Sequence, residues 1–124
     1  MTVTSTYLLL YVDSPATSAN FYSRLLDTPP VELSPTFALF ILDSGLKLGL
    51  WSRHDAEPAA QVSGGGGELA LAVADNQTVD QLHSQWANAG VSIAQAPTAM
   101  DFGYTFVALD PDGHRLRMFC PTPD

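Results

Sequence analysis

Two of the chain's five Lys and Arg residues, Arg115 and Arg117, stand two positions apart in the segment RLRMF, with Phe119 two further on. Side chains of an extended strand alternate between faces with period two, so these three share one side while Leu116 and Met118 take the other. A guanidinium offers five N–H donors and no acceptor; it recognises carboxylates and does not ligate a metal. The pair is either a solvated strand edge or part of a lined cavity. Other reactive or ligating side chains are few: His54, His83, His114 and a single cysteine, Cys120. One cysteine excludes an intrachain disulfide and a cysteine-rich zinc site. His54 lies in a polar loop and reads as a solvated loop residue. His83, beside Leu82, reads as surface or interhelical, and His114 as a residue that hydrogen-bonds the turn it follows. The run SGGGG is not a phosphate loop, because no Lys-Ser/Thr pair follows and it leads into a strand. No serine, threonine or cysteine has the context of an activated nucleophile.

The 124 residues fit one domain able to bury a core without metal or disulfide staples. A formal net charge of −8 argues against nucleic acid and against an anionic membrane surface, both of which attract basic patches. The N-terminus lacks a basic leader, and its apolar run covers only Tyr7 to Val12, too short for a signal core or a membrane span. A cytoplasmic location is the expectation.

The elements that must position these residues follow from periodicity. YLLLYV (7–12) predicts a strand. Ser14 or Asp13 then caps, Pro15 suits a first helical turn, and Phe21, Tyr22, Leu25 and Leu26 give the apolar stripe of a helix over 15–27 that ends at DTPP. FALFILD (37–43) and LKLGLW (46–51) predict a hairpin. From 53 to 67 the chain is polar, small and finally glycine-only, the composition of a linker. The pattern then begins again: ELALAV (68–73) as a strand, a helix with Val79, Leu82 and Trp86 inward and Gly90 beyond it, the short strand SIAQA, and a hairpin of YTFVALD (104–110) with RLRMF (115–119). This is an internal repeat. The fold class is α+β, two tandem βαβββ modules over 1–52 and 68–124, joined by the linker 53–67 within one domain of 1–124.

With the repeat in view, YVDSPATSANFYSRLL resembles the strand–VxD–helix–FY–L signature of the vicinal oxygen chelate superfamily, and FVALDPDGHRLRMF resembles its closing DPDG hairpin. That superfamily holds glyoxalases, ring-cleaving dioxygenases and drug-binding resistance proteins. The resemblance implies that each module curls into a half-cup, that the halves close around a ligand or metal, and that the protein is a homodimer. The family's metal positions, carried over by these anchors, are Tyr7, Gly49, Glu68 and Arg117. Divalent metals want three or more lone-pair donors, and only Glu68 is a good one. The resemblance therefore implies no metal or other cofactor, and an Arg117 guanidinium standing as counter-charge to Glu68.

One face of the strands carries Tyr7, Leu9, Tyr11, Lys47, Gly49, Trp51, Glu68, Ala70, Ala72, Arg115, Arg117 and Phe119; the other is aliphatic. A mixture of aromatic, small and a few charged residues is what a pocket needs. The expected ligand-binding residues are Trp51, Tyr11, Phe119, Arg117, Glu68, Tyr7, Gly49 and Ala70, with Gly49 and Ala70 leaving room, and none is expected to be catalytic. The stretch MDFGYTFVALDPDGH is similar to the metal-free resistance proteins that sequester bleomycin, mitomycin or phenazines. Sequestration of a planar, largely aromatic molecule such as a phenazine is the expected function. The alternative is a metal-dependent lyase, isomerase or dioxygenase of the glyoxalase type, with His54 as the first additional ligand to suspect. A sensor of unknown ligand is the blandest reading.

Overall fold

Local chemistry sets the boundaries of each element. The computed structural model describes residues 1–62 and 64–123; Ser63, inside the expected linker, and Asp124 lie outside the described residues. The chain folds as two compact units, Met1–Gly64 and Gly65–Asp124.

In the first unit, β1 (Tyr7–Val12) leads into α1 (Pro15–Leu26), then β2 (Glu32–Leu33), β3 (Phe37–Ile41) and β4 (Lys47–Ser52). The Ser14 hydroxyl accepts from the Thr17 amide at 3.2 Å, and Pro15 occupies the first turn, where its missing N–H leaves no helical bond unmade. Asp27 caps the helix in the left-handed conformation with φ 50°, so the last helical residue, Leu26, lies one before the expected end. Its most buried face is Pro15, Ser18, Ala19 and Tyr22, whereas Phe21, Leu25 and Leu26 are half-buried. Small side chains at the first turns let the helix lie close to the sheet, and Tyr22 anchors it. The sheet order is β1-β4-β3-β2, with β1 parallel to β4 and the other pairs antiparallel.

The second unit repeats the arrangement: β5 (Glu68–Ala72), α2 (Asn76–Asn88), β6 (Ser92–Met100), β7 (Gly103–Leu109) and β8 (Arg115–Pro121), in the order β5-β8-β7-β6. Asp75 caps α2, accepting from the Thr78 amide and hydroxyl at 2.7 and 2.6 Å. Val79 and Trp86 are buried, and Trp86 meets Phe106 of β7 edge-on at 5.3 Å. His83 is neither free surface nor interhelical: its ring packs on Phe106 at 5.4 Å. β6 runs beyond the expected SIAQA to Met100 and includes Pro97. An edge strand tolerates proline because its outward N–H has no ladder partner to lose, and register shifts flank this segment.

The two sheets are α+β modules of one design. Each buries the face that meets its helix, through Val12, Phe40, Leu48 and Leu50 in the first unit and Leu69, Phe106, Leu116 and Met118 in the second. The other face of each sheet is open, and it carries the mixed set of residues.

Candidate functional site

The register places the site residues in matched rows. In the first unit Tyr7 pairs with Lys47, Leu9 with Gly49 and Tyr11 with Trp51; on the far side of β4, Ile41, Leu39 and Phe37 complete the same three rows. Tyr7 is 52% exposed and Tyr11 36%, while Trp51 is half-buried. The Tyr11 and Trp51 rings lie 6.2 Å apart and tilted by 58°, an open aromatic pair. Lys47 Nζ sits 5.0 Å over the Tyr7 ring and donates to its hydroxyl at 3.4 Å.

Gly49 does not leave the open space expected of it. A Cβ there would lie 2.6 Å from Leu9 Cδ2 and 2.9 Å from Phe37 Cζ. Leu9 and Phe37 lean over the glycine from both neighbouring strands, so its missing side chain is a packing slot rather than a cavity floor. Ala70, by contrast, is exposed.

In the second unit the rows are Glu68–Arg115–Leu109, Ala70–Arg117–Val107 and Ala72–Phe119–Thr105. Arg117 crosses the whole sheet. Its Nε donates to Glu68 Oε1 at 2.5 Å and one Nη to Glu68 Oε2 at 3.4 Å, a two-pronged contact with β5. Its other Nη donates to Thr105 Oγ1 on β7 at 3.1 Å and to Gln95 Oε1 on β6 at 3.2 Å. Thr105 in turn donates to the Met118 carbonyl at 3.0 Å. One side chain thus joins all four strands. The guanidinium is 5.5 Å from the centre of the Phe102 ring, within cation–π range, and Phe102 meets Phe119 edge-on at 5.9 Å. The Arg117 side chain is 14% exposed and that of Glu68 29%, so both charges are largely withdrawn from water and held by hydrogen bonds rather than bulk solvation. Arg115 touches Glu68 only at 3.7 Å and is 43% exposed.

Phe102, Thr105 and Gln95 are members of this network that sequence reasoning missed. Phe102 sits at the tip of the β6–β7 hairpin, within the family-like stretch MDFGYTF, and its aromatic type was the available signal. Gln95 and Thr105 gave none beyond strand alternation.

His54 is not on an open face. Its Nε2 meets Asp13 Oδ1 at 2.7 Å, with Arg53 3.6 Å from the same oxygen, which ties the loop after β4 to the start of α1. The His54 hydrogen bond, aided by the charge of Arg53, holds the Asp13 carboxyl below its ordinary range. The His114 amide donates to Asp110 Oδ1 at 2.8 Å in the DPDG turn.

The donor set does not suit a divalent cation. At the four family positions, Tyr7 is covered by an ammonium group, Gly49 has no side chain and no room for one, and both oxygens of Glu68 accept from Arg117. Among the described residues no three His, Cys, Asp or Glu gather into a metal-binding group.

The family model for the glyoxalase/bleomycin resistance protein/dioxygenase superfamily matches residues 4–118. The chain belongs to that superfamily. Among its superfamily relatives, the phenazine antibiotic resistance protein EhpR of Enterobacter agglomerans is 28% identical over 97% of this chain and 93% of its own. A solution structure of a protein from Agrobacterium tumefaciens is 51% identical, with a TM-score of 0.89 over 98% of this chain and all of that one. A glyoxalase-related enzyme from Fulvimarina pelagi, 23% identical, shares the fold with a TM-score of 0.81 over 93% of this chain and 86% of its own. As in the superfamily's fold, the chain consists of two βαβββ modules. No helix among its described residues is long and apolar enough to cross a membrane.

Proposed function

We propose that this superfamily member binds and sequesters a planar aromatic small molecule without metal chemistry, in the manner of a drug-resistance protein. The observation that carries this reading is Arg117. At a position where metal-using relatives place a ligand, it engages both oxygens of Glu68 on a sheet face that also presents aromatic rings. The similarity to a phenazine resistance protein supports the same ligand class.

On the first unit's face Tyr7, Tyr11 and Trp51 offer aromatic surface; on the second unit's face Phe119 offers a stacking surface and Ala70 leaves room beside Arg117. Gly49 acts through Leu9 and Phe37, the side chains that fill its slot. Covering about 200 Å² of ligand apolar surface gives about 5 kcal/mol at roughly 25 cal/mol per Å². Each well-placed stack adds about 0.5–1.5 kcal/mol. The cost of association, about 4 kcal/mol or more, is subtracted from that sum, so the quality of the stacks sets the net affinity. The protein works as a homodimer in the cytoplasm, and light scattering of the purified protein checks the assembly.

The binding test is a fluorescence titration with phenazine. Trp86 is 5% exposed in the α2 core, so a ligand stacked on Trp51 quenches that residue and leaves Trp86 unchanged. Saturable quenching that disappears in Trp51→Phe supports the proposal. Quenching that persists unchanged in that variant, or none at all, overturns it.

A further inference from the structure

The second unit holds seven carboxylates and only two cationic Lys or Arg side chains, Arg115 and Arg117, and both lie on the open face of its sheet. They are not equivalent. Arg117 spends its N–H groups on Glu68, Thr105 and Gln95 and is 14% exposed. It is a strut that holds four strands and leaves little capacity for a ligand. Arg115 makes no side-chain hydrogen bond among the described residues; its one charged contact is the 3.7 Å approach to Glu68, whose oxygens already accept from Arg117. Glu68 balances one of the two guanidinium groups. The face therefore keeps one net positive charge, and the group that expresses it is Arg115, 43% exposed.

A guanidinium with free N–H donors matches a carboxylate in geometry and charge. We propose that Arg115 is a specificity-determining residue and that the ligands of this protein are planar aromatic carboxylates rather than neutral or cationic aromatics. This rests on the binding function proposed above and narrows its ligand class. On an otherwise acidic unit, a carboxylate is repelled from most of the surface and attracted to this one row. Further along the same face, past the Ala70–Arg117 row whose guanidinium is paired with Glu68, the Ala72–Phe119 row gives the ring system a flat apolar place.

The test compares phenazine-1-carboxylate with phenazine-1-carboxamide, which match in shape and differ in charge. At low salt the carboxylate binds about two- to fivefold tighter, the scale of a partly exposed ion pair. In Arg115→Gln the ratio of the two affinities falls to about one. Arg24→Gln, which removes the same charge from α1 of the other unit, keeps the ratio. Raising salt from about 20 mM to about 500 mM erodes the ratio in the parent, since exposed charges are screened. Equal binding of the two compounds by the parent, or a ratio that survives Arg115→Gln, overturns the role of Arg115 while leaving aromatic binding intact. If neither compound binds, the binding function itself fails, and this inference with it.

Discussion

The open faces of the two modules use one backbone plan with side-chain sizes exchanged. In the first module the centre of the face is Gly49, and large neighbours, Leu9 and Phe37, close over it. In the second the centre is Arg117, and its counterpart neighbours are small, Ala70 and Thr105. Tyr11 and Trp51 of the first correspond to Ala72 and Phe119 of the second; Tyr7 and Lys47 correspond to Glu68 and Arg115. One face is closed by apolar side chains packed across a glycine, the other by a hydrogen-bonded strut. A duplicated module can thus keep its buried face nearly constant while its free face is refilled by different physics. Large-to-small and small-to-large changes must occur together, because native packing tolerates neither a void nor an overlap.

The comparison breaks most severely if the strut is moved alone. Gly49→Arg forces a guanidinium against Leu9 and Phe37, and destabilisation of about 4 kcal/mol or failure to fold is expected. Adding Tyr7→Glu, Leu9→Ala and Phe37→Thr supplies the counter-charge and the space, and recovers at least half of that loss in urea unfolding. No recovery would mean that the exchange of sizes does not explain the two faces.

Removing the strut from its own sheet is the next largest effect. Arg117→Met leaves the Glu68 carboxylate with only the distant Arg115 and frees Thr105 and Gln95, costing about 2 kcal/mol, reduced from a fully buried pair because Glu68 keeps some contact with water. The double variant Arg117→Met/Glu68→Met is less destabilised than Arg117→Met alone, since no unpaired carboxylate remains; the two unfolding midpoints decide this.

The smallest effect separates the two helix caps. α1 is capped by the neutral Ser14 and α2 by Asp75. The Thr78 hydroxyl and then its amide, donating to Asp75, hold that carboxyl below its ordinary range. The folded state therefore binds fewer protons there than the unfolded state. The stabilisation is complete above the unfolded carboxylate value and is lost as pH falls through the lower folded value. Asp75→Asn flattens the acid side of a stability–pH profile, whereas Ser14→Ala shifts the profile down without changing its slope.

Much of this molecule is legible in its sequence. Turn and cap chemistry locates β1, α1 and the DPDG hairpin to within a residue or two, because these signals act locally through proline, serine and glycine. The repeat carries the fold, and the resemblance carries the pairing of Glu68 with Arg117. Alternation also assigns the two faces of β1, β4, β5 and β8. β6 is longer than its sequence predicts, because Pro97 ends a strand only where its N–H would have a partner, and edge position is a property of the sheet. The place of His83 is not legible, because a half-buried imidazole against Phe106 has no signature along the chain.

The sequence by itself determined the two βαβββ modules, their helix-facing cores and the scarcity of metal donors, all of which follow from residue type and spacing. Only the tertiary structure decided which residues close each open face. The fill over Gly49 and the reach of Arg117 to Thr105 and Gln95 depend on strand register and side-chain direction. Those bring together residues far apart along the chain, and no local pattern encodes them.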